Sequence, residues 1–471
     1  MKDMTVRDVL CVTSGQLLSG DASARLLSVS TDSREKKESC LFVPIVGENT
    51  DAHRFIGQAL ENGCVASLTA DPSYAEAYLA SHPGEDPAFV LVRDTTDAIQ
   101  RIAKEARNRL ALPAVGVTGS VGKTTTREMI AAALGAGKKV YKTDKNYNNW
   151  LGVPLTLCEM SDDYDIAVLE LGLNVPGELG LISGLSGIET AVITNIGLAH
   201  MEYYGSQDLL AREKYTITNG FRDDGKPKML FLNADDTMTM KYRDSTGYPY
   251  TLYGTVAQAD YRVADVRTHP EGSTYTLYVR GEERLTGRLS VPGFHNVLNA
   301  AAALAVADYY GVDLERAAEA LSRFKGYKGR LAQHRVRGCL LIDDAYNASP
   351  SSMRAGLSVL KDMVFADGKG RKIAVLGDML EMGPDSPKYH FEIGQFAADL
   401  PIDRFLLVGK EAQEIRRGLE SRGRTETDWY PVPEDALPAL LALIRPGDIL
   451  YFKASHGIHL ERITEALIRE S

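Results

Sequence analysis

The residues with the clearest chemical pattern lie between Val115 and Thr126, where the chain reads VGVTGSVGKTTT. The apolar start predicts a short buried strand, the glycines predict a loop, and Lys123 opens a predicted helix. Amides of a glycine loop and the positive end of a helix bind phosphate oxygens. A lysine here reaches the β- and γ-phosphates, and the following threonine binds Mg²⁺. The predicted nucleotide-binding residues are Gly119, Ser120, Val121, Gly122, Lys123, Thr124 and Thr125.

This stretch departs from the general phosphate-loop pattern at one position. The pattern places a glycine at position 117, where this chain has valine, and the glycine lies one residue earlier at 116. An ordinary glycine-rich turn is the alternative interpretation. The Gly-Lys-Thr-Thr run between a predicted strand and a predicted helix favours nucleotide binding.

Polar side chains follow two further predicted strands. Glu170 ends the apolar run DIAVLEL, and Asn195 and His200 follow the strand in TAVIT. Ligands of open parallel sheets bind at the carboxyl ends of the strands. A carboxylate placed there is a natural Mg²⁺ ligand. For His200, a structural and a functional role are equally open.

The alternation of predicted strands and helices indicates an α/β protein, and 471 residues correspond to about three domains. We expect a small α/β domain over residues 1–94 and a central parallel-sheet domain with the phosphate loop over residues 95–327. A Rossmann-like domain follows over residues 328–471.

Composition limits the possible classes of function. Hydrophobic residues make up 44% of the chain, and the net charge is −10. That charge argues against a general nucleic-acid or anionic-membrane surface. Apolar runs are too short to span a bilayer, and the first ten residues do not resemble a signal peptide. Five scattered cysteines without a CxxC motif indicate small buried thiols in a reducing compartment. We therefore expect a cytoplasmic protein.

Three other stretches are ambiguous when taken alone. Asn146, Asn148 and Asn149 form either a binding loop or a plain loop, because asparagine favours loops through local hydrogen bonds. The run from Thr31 to Arg34 fits a sugar-nucleotide site or a capped turn. The charged run from Arg212 to Lys214, judged by charge alone, predicts a solvated helix face.

Taken together, the motifs resemble the Mur ligase family over nearly the whole chain. Residues 116–125 fit the family's loop pattern GxTGSxGKTT, which accounts for the shifted glycine. The other matching stretches are TDSR, KNYNNWLGVPLTL, ELGLNVPGELG, TNIGLAHMEYYGS, FHNVLNAAAALA, DDAYNASPSSM and LGDMLEMG.

Within the family, DDAYNASPSSM is the most discriminating stretch. It resembles the members that add D-alanyl-D-alanine to UDP-N-acetylmuramoyl-tripeptide, and it lacks the Asn-Pro-Arg triplet of diaminopimelate-adding members. The resemblance implies that ATP activates the substrate carboxylate as an acyl phosphate, which the dipeptide amine then attacks. A ligase that adds a single lysine or diaminopimelate is the alternative. More distant alternatives are a folylpolyglutamate synthase-like enzyme and a nucleotide-binding protein that forms no bond.

The resemblance also implies the catalytic and metal-binding roles. Lys123 would contact the transferred phosphate, Thr124 and Glu170 would hold one Mg²⁺, and Glu170 and His200 would hold a second. Lys214 matches the lysine that relatives convert to a carbamate with CO₂, which adds an anionic oxygen ligand. The surrounding motif departs from the family at Thr216, where a glutamate is usual, and Lys145 is the alternative lysine nearby.

Substrate contacts are implied in the same way. Asn296 would contact the adenine, and Arg330 and Asp343 would contact phosphate and ribose. The UDP-sugar would meet Thr31, Ser33 and Arg34; the path to the muramyl peptide would be lined by Asn146, Asn148 and Asn149; and the dipeptide would meet Asn347, Ala348 and Ser349. His456 replaces the usual arginine of the last motif, which removes a permanent cation. A monomer without a nucleic-acid partner is expected.

Overall fold

The structure is a computed structural model that describes residues 1–47, 50–198, 201–269, 271–363 and 370–469. Its first part forms a five-stranded sheet of order β2-β7-β6-β5-β4 beside the antiparallel pair β1-β3. A 3-10 helix covers Ala52–Phe55. The elements are β1 (Met4–Thr5), α1 (Val6–Thr13), β2 (Gln16–Ser19), β3 (Arg25–Leu26), β4 (Ser28–Ser30), β5 (Cys40–Phe42), α2 (Ile56–Glu61), β6 (Cys64–Thr69), α3 (Pro72–Ser81) and β7 (Ala88–Leu91).

The central part carries the phosphate loop on a nine-stranded sheet of order β16-β15-β14-β13-β12-β11-β8-β10-β9. Its elements are α4 (Thr95–Asn108), β8 (Ala114–Thr118), α5 (Lys123–Leu134), β9 (Val140–Lys142), α6 (Gly152–Glu159), β10 (Ile166–Glu170), α7 (Glu178–Ser186), β11 (Thr190–Ile193), α8 (Met201–Tyr204), α9 (Gln207–Tyr215), β12 (Met229–Asn233), α10 (Thr237–Tyr242), β13 (Tyr250–Gly254), β14 (Tyr261–His269), β15 (Gly272–Val279), β16 (Glu282–Leu289), α11 (Phe294–Tyr309) and α12 (Leu314–Ser322).

Strands β8 to β14 of this sheet pair in parallel, whereas β14 with β15 and β15 with β16 pair antiparallel. Strand β8 lies between β10 and β11, so the ends of these two strands flank the phosphate loop. All five residues of β8 and of β10 are buried, as expected for parallel strands covered on both faces. This order places Glu170 on one side of the loop and Asn195 on the other.

The last part forms a six-stranded sheet of order β17-β18-β22-β19-β20-β21, parallel except for the edge strand β17. Further 3-10 helices cover Thr216–Gly220, Gly383–Asp385 and His456–Ile458. The elements are β17 (Ala332–Val336), β18 (Cys339–Asp343), α13 (Pro350–Asp362), β19 (Lys372–Gly377), α14 (Ser386–Ala398), β20 (Arg404–Val408), α15 (Ala412–Glu420), β21 (Thr427–Tyr430), α16 (Pro433–Leu443), β22 (Ile449–Lys453) and α17 (Glu461–Arg469).

One hydrophobic core extends across the first and central parts, whereas the last part has cores of its own. One continuous core joins the first sheet to the central part, with Val29 and Leu68 on one side and Leu157 and Leu169 on the other. A second core lies between the central sheet and α5, α11 and α12. Two separate cores cover the two faces of the last sheet. Among the described residues, the first two parts therefore share one apolar core, and the cores of the last part are separate from it.

The predicted α/β class is confirmed, with differences in detail. The sequence analysis did not single out Asp94, whose side chain caps α4 by accepting from the amides of Thr96 and Asp97. Cys11 is exposed, whereas the other four cysteines are buried as predicted, and all five are free thiols. The antiparallel extension β14–β16 was not predicted, because its sequence carries no motif. Across the described ranges, each helix is too short or too polar to span a bilayer.

Candidate active site

The two residues that follow β11 form hydrogen bonds with the phosphate loop. Gly119 and Gly122 have φ angles of +150° and +85°, and a β-carbon on Gly119 would lie 1.8 Å from Thr194 Oγ1. Thr194 Oγ1 donates to the carbonyl of Val121 at 2.6 Å, and the Val121 amide donates to Asn195 Oδ1 at 3.0 Å. Glycine is therefore required at position 119 by both backbone conformation and space.

Two side chains at the start of α5 face the place where phosphates bind in such loops. Lys123 Nζ donates to the carbonyl of Gly119 at 2.7 Å. Desolvation in the cleft lowers the pKa of Lys123 to about 8, with Glu170 opposing the shift and Arg330 adding to it. Thr124 Oγ1 donates to Glu170 Oε1 at 3.1 Å. The first turn of α5 thus brings an amine and a hydroxyl next to a carboxylate.

Glu170 forms hydrogen bonds with three residues besides Thr124. It is 1% exposed, and its Oε1 also accepts from Asn148 Nδ2 at 2.7 Å. Its Oε2 accepts from Arg127 Nη1 at 3.1 Å, and its amide donates to Thr143 Oγ1 at 3.0 Å. The sequence analysis did not single out Arg127. Its position four residues after Lys123, on the same face of α5, was the available signal.

Lys214 is completely buried in α9, and its Nζ has no hydrogen-bond partner among the described residues. Burial, with Lys123 nearby, holds the pKa of Lys214 well below its usual value. The prediction of a solvated face from the charged run is therefore wrong for this residue. Lys145, the alternative lysine, is exposed. His200 lies outside the described residues.

The hydroxyl of Thr124 and the carboxylate of Glu170 fit a hard cation such as Mg²⁺, which prefers oxygen ligands. Within the described ranges, no group of three or more histidine, cysteine, aspartate or glutamate side chains forms a ready metal cage. A cation at this point would therefore need further oxygens from a nucleotide or from water. That donor set is typical of magnesium sites that also bind phosphates.

Three cavities meet at Thr124 and Arg330, between the central sheet and the last sheet. The one beside the phosphate loop has a volume of about 250 Å³. The wall opposite the phosphate loop is formed by the start of α13 and the residues before it. This wall includes the predicted dipeptide contacts Asn347, Ala348 and Ser349. The helices α5 and α13 thus point their N-termini at one cavity, an arrangement that favours anions.

The second cavity, of about 650 Å³, lies on the β9 side. Asn146 and Asp343, both predicted contacts, line it. Burial raises the pKa of Asp343, whose Oδ1 accepts from the Ala345 amide at 3.1 Å. The Arg330 guanidinium lies 4.3 Å from the ring centroid of Tyr346 in the same wall. The cavity therefore carries both signs of charge beside an aromatic ring.

His456, which replaces the family's usual arginine, also lines the first two cavities. Its ring stacks on Tyr346 with a centroid distance of 5.7 Å. Arg330 and His456 therefore both contact the Tyr346 ring.

The third cavity has a volume of about 100 Å³ and lies at the head of α11. Asn296 lines it, but its Nδ2 donates to the carbonyl of Pro292 at 2.7 Å. Asn299 lines the same cavity and would lie 3.2 Å from a β-carbon on Gly122. The sequence analysis missed Asn299, although it lies one helical turn after Asn296.

Several predicted substrate residues do not line these cavities. Thr31, Ser33 and Arg34 lie in the first part of the chain. Arg34 forms a two-point ion pair with Asp32, at 2.8 and 2.6 Å, and Ser33 Oγ donates to Gln58 at 2.7 Å. These bonds agree with a capped turn, and the role in sugar-nucleotide binding stays a prediction.

The three asparagines before α6 have separate environments. Asn148 contacts Glu170, and Asn146 lines the 650 Å³ cavity. Asn149 Oδ1 accepts from the amides of Leu151 and Gly152 at the start of α6. Asn149 therefore has the local role of a loop asparagine, while the other two point to the site.

Known proteins resemble this chain over nearly its full length. Residues 117–307 match the Mur ligase middle domain, and residues 329–456 match the Mur ligase, glutamate ligase domain. The UDP-N-acetylmuramoyl-tripeptide–D-alanyl-D-alanine ligase of Bacillus subtilis (strain 168) is 38% identical, with 98% of each chain covered.

Solved structures agree with this similarity. MurF from Acinetobacter baumannii superposes with a TM-score of 0.87 at 30% identity, covering 99% of this chain and 98% of that one. MurF ligase from Thermotoga maritima, solved in complex with ADP, gives a TM-score of 0.79 at 27% identity, covering 94% and 97%. The identity to the Bacillus enzyme extends over both chains almost completely, and this chain therefore belongs to the Mur ligase family.

Proposed function

We propose that this chain is an ATP-dependent ligase that joins D-alanyl-D-alanine to UDP-N-acetylmuramoyl-tripeptide, as a monomer, in cytoplasmic peptidoglycan precursor synthesis. The observation that carries the proposal is the 250 Å³ cavity in which the phosphate loop faces the start of α13. The stretch DDAYNASPSSM forms part of its wall, and whole-chain relatives bear the name of this ligase. A ligase that adds lysine or diaminopimelate remains the alternative that the experiment below tests.

The residues of the cavity support phosphoryl transfer. Amides of residues 119–125 and the ammonium of Lys123 would bind the ATP phosphates, while Asn296, Arg330 and Asp343 would hold adenine, phosphate and ribose. The tripeptide carboxylate would attack the γ-phosphate, and ADP would leave. The dipeptide amine would then attack the acyl phosphate and release phosphate.

Thr124 and Glu170 would hold one Mg²⁺, and Glu170, His200 and Lys214 would serve a second. Such ions, when bound, neutralise charge that develops on the transferred phosphoryl group. The fit rests on the 3.1 Å contact between Thr124 Oγ1 and Glu170 Oε1 and on Lys214 Nζ, which is buried without a hydrogen-bond partner among the residues that the structure describes. His200 enters this set through the family resemblance alone.

Lys214 is a suitable target for CO₂, because only a neutral amine attacks carbon dioxide. Attack by Nζ would form a carbamate and release one proton. Burial lowers the pKa of Lys214 and so favours the neutral amine. A ¹³C resonance from labelled bicarbonate should appear in the wild type and in Lys145→Met, but not in Lys214→Met. A resonance that persists in Lys214→Met would contradict the assignment.

The substrate contacts and domain limits complete the proposal. Thr31, Ser33 and Arg34 would bind the UDP-sugar, the three asparagines before α6 would line the peptide path, and residues 347–349 would meet the dipeptide. We place the domains at residues 1–94, 95–327 and 328–471. The three large sheets fall within these limits, with strands over residues 16–91, 114–289 and 332–453.

The deciding experiment is ATP-dependent phosphate release with product mass. UDP-N-acetylmuramoyl-tripeptide, with lysine or diaminopimelate as its third residue, is supplied with D-alanyl-D-alanine. The control supplies the UDP-dipeptide with free lysine or diaminopimelate. We expect a pentapeptide product in the first mixture alone. Product only in the control would move the chain to the single-amino-acid ligases, and phosphate release without either acceptor would contradict a bond-forming role.

A further inference from the structure

Arg127 is a completely buried arginine on the phosphate-loop helix α5. Its Nη1 donates to Glu170 Oε2 at 3.1 Å and to the carbonyl of Lys145 at 2.9 Å. Its Nη2 donates to Glu128 Oε1 at 2.6 Å. One guanidinium therefore joins two carboxylates and a loop carbonyl. Planar, fixed donors make arginine suited to this geometry, which lysine cannot reproduce.

The contacts of Arg127 connect three parts of the candidate site. Glu170 is the carboxylate beside Thr124, and Lys145 belongs to the loop that supplies Asn148 to the same carboxylate. Lys145 has a φ angle of +48°, which is unfavourable for a side chain with a β-carbon, and the bond to its carbonyl stabilises that conformation. The ring of Tyr327, in the segment that leads to the last sheet, lies 5.7 Å from the guanidinium carbon.

A second buried arginine shows what a purely structural role looks like. Arg107 in α4 is also completely buried. In the part of the chain that the structure describes, each hydrogen bond of Arg107 goes to a backbone carbonyl. The acceptors are Ser186, Leu110, Leu112 and Gly187. Arg107 therefore connects α4 to the end of α7, whereas Arg127 binds the side chain of Glu170 beside the phosphate loop.

We propose that Arg127 is a positioning residue for the divalent cation. By binding Glu170 Oε2, it directs Oε1 towards Thr124, and by binding the Lys145 carbonyl it holds the loop that carries Asn148. The inference rests on the proposed function, because Glu170 is a metal ligand only there. Partners that orient a metal ligand typically change metal affinity about 10- to 100-fold when they are altered.

The test compares Arg127→Lys with the matched variant Arg107→Lys, because both keep the charge and lose the guanidinium fork. Free Mn²⁺ is counted by electron paramagnetic resonance in the presence of ADP, and ADP binding in EDTA is measured by calorimetry. For Arg127→Lys we expect Mn²⁺ affinity to fall about tenfold, with ADP affinity in EDTA within twofold of wild type. For Arg107→Lys we expect a lower Tm and wild-type Mn²⁺ affinity.

Unchanged Mn²⁺ affinity in Arg127→Lys would overturn the inference, as would an equal loss of ADP affinity in EDTA. If that variant does not fold, Glu128→Ala takes its place, since it removes the carboxylate that accepts from Arg127 Nη2 and leaves Glu170 intact. A smaller loss of Mn²⁺ affinity is expected there, and wild-type affinity would overturn the inference. Wild-type Mn²⁺ affinity in Glu170→Gln would instead overturn the metal site of the proposed function.

Discussion

The two boundaries of the central sheet differ in polarity. The boundary with the first sheet, which we term the apolar boundary, is a continuous core that includes Val29, Leu68, Leu157 and Leu169. The boundary with the last sheet, termed the polar boundary, contains the three cavities around Thr124 and Arg330. The first is packed with buried apolar side chains, and the second leaves room for charged ligands.

This difference explains how one chain can be both stable and able to bind a charged nucleotide. Burial of apolar side chains contributes roughly 25 cal/mol per Å² and favours one fixed arrangement of the first two parts. A cleft lined by ammonium, guanidinium and helix N-termini gains its favourable energy only when an anion enters. We therefore expect substitutions at the polar boundary to change binding and catalysis, and substitutions at the apolar boundary to change stability.

The largest effect is expected from Lys123→Met at the polar boundary. Loss of the ammonium that neutralises the transferred phosphate should lower kcat by about 10³-fold, a typical cost for one preorganised charge donor. Phosphate release measures the rate, and a melting curve checks the fold. Because Lys123 Nζ donates, within the described part of the chain, only to carbonyls of its own loop, we expect Tm to change little. A large fall in Tm would show that this lysine also has a structural role.

The apolar boundary is tested by Leu157→Ala, which removes a completely buried side chain from the shared core. The cavity and lost transfer energy should reduce the free energy of unfolding by about 3 kcal/mol. Leu419→Ala is the matched control, because Leu419 is equally buried in a core of the last sheet alone.

Scanning calorimetry should separate the two leucine variants. We expect Leu157→Ala to lower the transition shared by the first two parts, and Leu419→Ala to lower a distinct transition of the last part. ADP affinity should stay near wild type in both. One common transition that shifts equally in both variants would contradict the contrast between the two boundaries.

Local sequence patterns predicted the polar boundary better than the residues that support it. Lys123 and Glu170 could be found because a glycine loop and a strand end are short-range patterns. The burial of Lys214 could not be predicted in this way, because its charged neighbours predict a solvated helix face. Only tertiary packing covers the Lys214 side chain. The bond from Arg127 to Glu170 joins residues 43 positions apart, a distance that local patterns do not reach.

A smaller effect is expected at Arg330, which lines all three cavities. Arg330→Ala removes a cation and its contact with the Tyr346 ring, so ADP affinity should fall about 10- to 100-fold, as for one lost charged hydrogen bond. Arg354→Ala is the control, because Arg354 makes a similar contact with Phe396 and lines none of these cavities. Calorimetric titration with ADP should show no change there, and an equal loss would mean that the effect is structural.

The smallest effect is a pH dependence specific to the polar boundary. Desolvation lowers the pKa of Lys123 to about 8, so its ammonium is lost as the pH rises through 8. Bound phosphates favour the charged form, so binding above pH 8 must take up a proton. ADP affinity should therefore fall roughly tenfold between pH 7 and pH 9, the result for one such group.

Titrations in buffers of different ionisation enthalpy should show proton uptake near pH 8. In Lys123→Arg, whose guanidinium stays charged, the uptake should vanish. If the uptake persists in Lys123→Arg, a group other than Lys123 takes up the proton, and the assignment to Lys123 is wrong.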